Sequence, residues 1–594
     1  MEKYNSREEV PEKYKWDLTD YFKDVEEFDK VLEEINPLID ELKEYKGKLH
    51  NPDSLLDFIR KDMHVSSVLM NLDGYSMLKD DEVLGVTENI SRKNKVLNLY
   101  TKYSENASFF EPEILSLSKE SYEALFEGNK DLEEYRKYLD KIYRMKEHIL
   151  SEQEEIIISS LTNAANSYND IASNLLNSEN DYGKVTLDDG ETVVVAINNF
   201  KSLLRNKNVQ IRETVYNQVN EKINEYAGTL ASLLNSYCKL NDEQAKIHKF
   251  KNAWDRKLFS LNLSDKVFDT LVQETERNVN ILHKYYELRN DVLGFKQNEY
   301  DLELPLNEDD KEYSIEEAQE ITLEAIKPLG EDYYNHFKKI YDRKYIDYCQ
   351  YKGKCSGAYS LSTYDQDSRI LMSYNGNFSS ISTIIHEGGH NVHHQYVTEN
   401  NSIVYRMVPV IISEVMSLTN ECLLSSYMVK HGKTKSEKLI GLDNIMGVIE
   451  SNLYGAVREG KIEQEMYKLI EDGNPLTKDN LNKLVSDSLD LYYGDKVNRN
   501  ELNNLSWARR SHYYMDYYLY AYAICISVAT NVAKKILDGD KEMLDKYLKL
   551  IKTGSDTWTK EAFEILDIDL EDPNVYKNAF DYFDSLIEEY RNLM

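Results

Sequence analysis

The sequence predicts a mainly α protein with a small β component, and three observations carry that reading. Only 9 Pro and 23 Gly occur in 594 residues, too few for a chain built on tight turns. Apolar residues recur at helical spacing over most of the length, as Phe28, Val31, Leu32 and Ile35 illustrate. The clearest departure is a predicted hairpin over 184–195, where Asp188-Asp189-Gly190 separates the β-branched runs KVTL and ETVVV. A chain of this length buries a large core and is expected to form more than one domain.

In chain order, residues from about 19 to 180 read as successive amphipathic helices. Breaks are expected at Asn51-Pro52-Asp53, Asp73-Gly74, Glu111-Pro112 and Glu127-Gly128-Asn129, and the helical period returns from Ile149 to Leu161. Together with the hairpin they define an expected N-terminal helical lobe, 1–199, followed by a second domain, 200–594. Helical patterns resume from Phe200 to about Leu293 and over 314–345. The segment 353–376 differs in kind: a small-residue loop containing Gly357, Ala358 and Tyr359, a short strand from Arg369 to Tyr374, and a turn at Asn375-Gly376-Asn377. Beyond it, helices are expected over 381–395, 410–431 and 435–472, with a restart at Asn474-Pro475-Leu476-Thr477.

Composition excludes several function classes. With 105 Asp plus Glu against 72 Lys plus Arg, the net charge of −33 makes nucleic acid and anionic membrane surfaces poor partners. Five scattered cysteines without a C-x-x-C form neither a disulfide framework nor a thiolate metal site. The N-terminus is charged and lacks an apolar core, and no run of 18 apolar residues occurs, so a cytoplasmic protein is expected.

The chemistry concentrates between Ile381 and Glu421. His386-Glu387-Gly388-Gly389-His390 is an H-E-x-x-H; on a helix the two histidines lie one turn apart, offset by about 40°. Both imidazoles then reach one metal ion from the same face. Glu387 sits roughly 100° round from His386, beside the metal rather than on it. Zn²⁺ suits this donor type, does no redox chemistry and lowers the pKa of a bound water to about 7. Glu414, 24 residues after His390 in a second apolar-periodic run that begins after Pro409, is the third predicted ligand. Two His, one Glu and one open position make a catalytic set, expected at one Zn²⁺ per chain. Glu421 shares the Glu414 helix face and is expected to hydrogen-bond a ligand histidine, with His393 either packed or in a similar supporting place. A strand with a free edge at 369–374, beside the metal, would let an extended peptide add by backbone hydrogen bonds. Further on, His512 opens a block with six tyrosines in ten residues, expected to be helical, with Tyr513, Tyr517 and Tyr520 on one face and Tyr514 alongside. Such groups can donate to the oxyanion of a tetrahedral intermediate, and the pattern does not single out one ring.

These residues resemble the M3 family of zinc metallopeptidases, the thimet oligopeptidase group, and within it the oligoendopeptidase F branch. The likeness runs from Pro11-Glu-Lys-Tyr-Lys-Trp-Asp-Leu18 through Gly190, Pro328-Leu-Gly-Glu331, Gly353-Lys354 and Gly357-Ala-Tyr359. It continues through His386-Glu-Gly-Gly-His390-Asn-Val-His393, Ser413-Glu-Val-Met-Ser417 with Glu421, and His512 with the tyrosines. The resemblance implies a two-lobed helical body around a deep channel that admits short oligopeptides. It implies zinc on His386, His390 and Glu414, Glu387 as general base, and His512 with the tyrosines on the substrate. Among Tyr514, Tyr517 and Tyr520, Tyr520 is taken as the oxyanion donor. Gly357, Ala358, Tyr359, Tyr374, Tyr513, Tyr514 and Tyr517 would then line the substrate. Met515, where relatives carry another aromatic, and Ser511, in place of a common Pro, depart from the pattern. A carboxypeptidase or dipeptidyl carboxypeptidase, with Arg458, Arg509 or Arg510 on the peptide's C-terminal carboxylate, is the alternative reading; a non-catalytic peptide-binding protein is a third.

Overall fold

The computed structural model describes residues 4–151, 153–155, 157–158, 167–307 and 311–594. It is mainly helical, as predicted. Among the described residues two small sheets occur. The first is the predicted hairpin, β1 (Lys184–Thr186) antiparallel to β2 (Thr192–Val194). The second contains β3 (Ile346–Asp347), β4 (Tyr359–Leu361) and β5 (Arg369–Leu371) in the order β3-β5-β4, with β3 parallel and β4 antiparallel to β5. None of the described helices is long and apolar enough to cross a membrane.

Compactness divides the chain into two units, each assembled from three separate stretches rather than from the consecutive segments 1–199 and 200–594. One contains Met1–Ile149, Asp310–Tyr427 and Val532–Asp567; the other contains Leu150–Asp309, Met428–Asn531 and Ile568–Met594.

In the first unit, helices Val25–Leu42, Pro52–Glu82 and Thr87–Ala107 pack on one another around Phe28, Ile35, Phe58, Leu69 and Leu72. Asn51 caps Pro52–Glu82 by accepting from the Ser54 N–H, with Pro at the first turn where its missing N–H costs nothing. The break expected at Asp73-Gly74 is absent, and the helix runs straight through it. Gly74 marks a close approach instead: a Cβ there would lie 2.6 Å from the Thr363 methyl. The helical period expected from Ile149 to Leu161 lies partly outside the described residues.

The sheet of the first unit delivers the chain to the motif helix, Phe378–Asn400, which Asn377 caps through the Ser380 N–H at 3.0 Å. Buried Lys354 fixes the preceding loop, donating to the carbonyls of Asp347, Cys349 and Met372. The predicted free edge is corrected here. β5 is the central strand and fully buried, whereas the partly exposed edge belongs to β4. Tyr374 is likewise not a lining residue: it is 3% exposed and its hydroxyl donates to the carbonyls of Tyr313 and Ser314.

In the second unit the 39-residue helix Val209–Ile247 packs against Ala456–Glu471, Lys478–Tyr493 and the turns of Glu501–Arg509. The tyrosine block is not one helix. Ser511–Tyr514 forms a 3₁₀ turn, a turn follows, and the helix begins only at Tyr520 and runs to Leu537.

Candidate metal centre

Two helices of the first unit build the centre. The motif helix is apolar and buried on most of its circumference (Ile381, Ile384, Ile385, Val392), and His386, Glu387 and His390 are partly exposed, as is Thr383. The second helix, Val410–His431, starts after Pro409 and ends at Gly432 as predicted, and brings Glu414 over the histidine pair. A helix–helix approach this close needs Gly389. A Cβ there would lie 2.9 Å from the Ser417 Cα and 3.0 Å from the Asn420 Nδ2, inside any normal contact. Gly388 is similarly covered by the ring of Phe337.

The geometry follows. Glu414 Oε2 lies 3.6 Å from His386 Nε2 and 3.6 Å from His390 Nε2, and the three ligand atoms fall within 4.8 Å of one another. Tetrahedral bonds of 2.0–2.1 Å separate ligand atoms by about 3.3 Å, so the two His–Glu414 separations come within about 0.3 Å of what such an ion requires. The His side chains retain 27% and 21% of their exposure and Glu414 14%, which leaves the centre reachable by a small molecule.

Further side chains fix the ligands. His386 Nδ1 lies 2.7 Å from Glu421 Oε1, and Ser382 donates to the other Glu421 oxygen at 3.1 Å. This turns His386 Nε2 toward the metal position. Ser413 Oγ lies 3.2 Å from His390 Nδ1, and Ser417 donates to Glu414 Oε2 at 2.9 Å. Burial opposes the His386 imidazolium, but Glu421, Glu414 and Glu387 outweigh it and raise its pKa to about 9. Burial and the neighbouring His386 push His390 down to about 4. The Glu387 carboxyl is raised, chiefly by burial and further by the charges of Glu414 and Glu421, against the opposing pull of His386 and of the Ser360 backbone on β4.

The predicted residues separate as follows. His386, His390, Glu414, Glu387 and Glu421 come together, and Gly357 and Ala358 are exposed on the loop leading into β4. Tyr359 opens β4, its hydroxyl donating to Asp81 at 2.5 Å. His393 is 4% exposed and, among the described residues, its buried Nε2 has no hydrogen-bond partner, which fits the packing role; Glu421 is the residue of the predicted pair that holds a ligand imidazole.

His512 and the tyrosines lie in the second unit. Tyr513 is fully buried with its hydroxyl on Glu459 at 2.5 Å, and Tyr517 is packed between Trp254 and Tyr467. Tyr520 is 1% exposed, edge-on to Trp254 and Phe268, with a buried hydroxyl that has no partner among the described residues. All three are packed in the interior in this structure, in contrast to the expected places of Tyr520 on an oxyanion and of Tyr513 and Tyr517 on substrate. Partly exposed instead are His512, Tyr514, Tyr518 and Tyr522, with the His512 and Tyr518 rings 5.9 Å apart and those of Tyr518 and Tyr522 5.5 Å apart. Burial and Arg510 lower the His512 pKa, favouring a neutral imidazole.

Sequence reasoning missed Ser382, Ser413, Ser417 and Ser360. Ser413 and Ser417 had a local signal, flanking Glu414 at one position before and three after it. Tyr518 and Tyr522 had none, because the side of the block that packs inward is set by Trp254 and Phe268.

The profile of peptidase family M3 matches residues 202–582, and that described as oligopeptidase F matches 113–182. The chain is 27% identical to the group B oligopeptidase PepB of Streptococcus agalactiae over 592 residues, covering 99% of this chain and 98% of that protein. It is also 27% identical to oligopeptidase PepF of Bacillus subtilis, covering 99% and 88%. A crystal structure from Chlamydophila abortus superposes with TM-score 0.89 at 26% identity, covering 99% and 100%. Oligoendopeptidase-F of Enterococcus faecium superposes with TM-score 0.74 at 26% identity, covering 96% and 99%. With its H-E-x-x-H helix, its converging Glu414 and a family match over most of its length, this chain belongs to peptidase family M3 and is a metalloendopeptidase.

Proposed function

We propose that the chain is a zinc endopeptidase that hydrolyses internal bonds of short oligopeptides. The observation that carries this reading is the convergence of His386, His390 and Glu414 on one point, with Glu387 beside it and the β4 edge adjoining Glu387. His386, His390 and Glu414 would hold the ion, and a bound Zn²⁺ supplies Lewis acidity and an activated water at neutral pH. Glu387 takes the proton from the attacking water and returns it to the leaving amine. Edge-strand N–H and C=O groups of β4, with Gly357 and Ala358 before it, orient an extended peptide backbone. His512, Tyr518 and Tyr522 are the hydrogen-bond donors assigned to the oxyanion, with Tyr514 available to the substrate. The relatives named as oligopeptidases support short peptides as the substrate class.

The carboxypeptidase alternative finds two of its three cations already engaged. Arg458 pairs with Glu459 at 2.9 Å and Arg510 with the same carboxylate at 3.4 Å, so the two guanidiniums share one internal anion, which balances one of their two charges. A purely binding role leaves Glu387 without purpose. The deciding experiment is turnover of an internally quenched peptide blocked at both termini, with and without a chelator. Zinc-restorable cleavage at internal bonds supports the proposal; cleavage only of peptides with a free C-terminus overturns it.

A further inference from the structure

The helix Ala456–Glu471 presents Glu459, Glu463 and Tyr467 at successive turns of one face, and that face grips the segment from Arg510 to Tyr517. Glu459 holds Arg510 and the Tyr513 hydroxyl, and Tyr467 lies against the Tyr517 ring at 4.8 Å. Between them, Glu463 is 0% exposed and accepts the Tyr517 backbone N–H at 2.8 Å through Oε1. The turn it meets is strained: Asp516 and Tyr517 have φ of +47° and +54°, a conformation that crowds the Cβ of an L-residue. Consecutive left-handed residues persist only where the surroundings over-determine them. Here Asp516 is held by the Tyr237 hydroxyl at 2.7 Å, by Asn241 and by Arg256 at 3.2 Å, while Glu463 secures the Tyr517 amide. The strained turn lies in the chain between His512 and Tyr518, both of which are partly exposed.

We propose that Glu463 is a positioning residue for the reaction: its buried carboxyl locks the left-handed turn at Asp516–Tyr517 and thereby fixes His512, Tyr518 and Tyr522 in place. This rests on the oxyanion role given to those three. Replacing Glu463 by Ala leaves the Tyr517 N–H buried without an acceptor, and the turn relaxes. Gln retains an amide oxygen in the same position and is expected to rescue. Asp retains the carboxylate but withdraws it by one methylene.

The test measures kcat and KM on the blocked quenched peptide for the wild type and for E463A, E463D and E463Q, together with metal per chain and Trp254 emission. Trp254 stacks edge-on against Tyr517 at 4.7 Å and reports the turn independently of turnover. Expected for E463A and E463D is a fall in kcat of about 10- to 100-fold per folded, metal-loaded chain, as misplaced groups give. KM should change less, with wild-type metal content and shifted Trp254 emission, and E463Q should stay near the wild type in both readouts. Equal loss in E463Q and E463A, or loss that tracks only the folded fraction, overturns the proposal. If E463A does not fold, the comparison of E463D with E463Q decides: Asp as active as Gln, or more so, refutes it. An inactive wild type counts against the peptidase reading itself, and Trp254 emission then judges the placement of the turn alone.

Discussion

Replacing Gly389 by Ala probes the packing that creates the metal centre. In an exposed helix interior this change stabilises by about 0.5–1 kcal/mol, because glycine loses more freedom on folding. At Gly389 the new methyl would lie 2.9 Å from the Ser417 Cα and 3.2 Å from its N, where carbon contacts normally sit at about 3.5–4.0 Å. The obstacle is backbone, so the two helices must separate by roughly 0.6 Å or more to restore a normal contact. Glu414, one turn before Ser417, moves with its helix, and metal bonds tolerate only about 0.2 Å. We expect zinc affinity to fall about 10- to 100-fold, in the range seen when supporting contacts of a metal site are lost, and stability to fall by about 1–3 kcal/mol as in overpacked cores. Zinc competition titration and thermal unfolding measure the two effects. Gly447→Ala is the control, since nothing lies within 4 Å of its Cβ position, and it should stabilise. Wild-type affinity with a raised Tm in Gly389→Ala would refute the packing argument.

Three further outcomes follow. Glu387→Gln should keep the metal yet lower kcat by about 10³-fold or more, because base and proton shuttle are lost together; single-turnover cleavage and metal analysis check this. Tyr520→Phe should leave kcat unchanged and stability equal or higher, since it removes a buried hydroxyl without a partner, whereas Tyr518→Phe or Tyr522→Phe should lower kcat; equal effects in all three would restore Tyr520 to the site. Stability should depend on pH through two carboxyls of one helix. Burial opposes the Glu459 carboxylate, but Arg510, Arg458 and Tyr513 outweigh it and lower its pKa to about 2, so its contribution is complete above about pH 4.5 and lost as the pH falls toward 2. Burial, with Asp516 adding to it, raises Glu463 to about 8, so its contribution is complete below about pH 4.5 and lost as the pH rises through 8. Thermal unfolding of wild type and Glu463→Gln from pH 5 to 9 should show the wild type losing ground as the pH rises; parallel curves would contradict this.

Features fixed by local sequence were legible. The His386–His390 pair follows from one helical turn, the hairpin from its Asp-Gly turn, and the Val410–His431 boundaries from Pro409 and Gly432. Features fixed by distant parts of the chain were not. Gly74 reads as a break, and only the approach of Thr363 explains why it sits mid-helix. The strand at 369–371 lies centrally because β3 and β4 both pair with it, which no pattern within 369–374 reveals. Tyr513, Tyr517 and Tyr520 share a face only if the block is one helix, which it is not; each packs instead against Glu459, Trp254 or Phe268, partners that lie far away in the sequence.

The most direct test of the metal centre is X-ray absorption at the zinc edge on the purified protein. Two imidazole nitrogens and carboxylate or water oxygens at about 2.0–2.1 Å are predicted, with the imidazole contribution halved, or the zinc lost altogether, in His390→Ala. A sulfur shell at about 2.3 Å, or an unchanged spectrum in His390→Ala, would contradict the assignment.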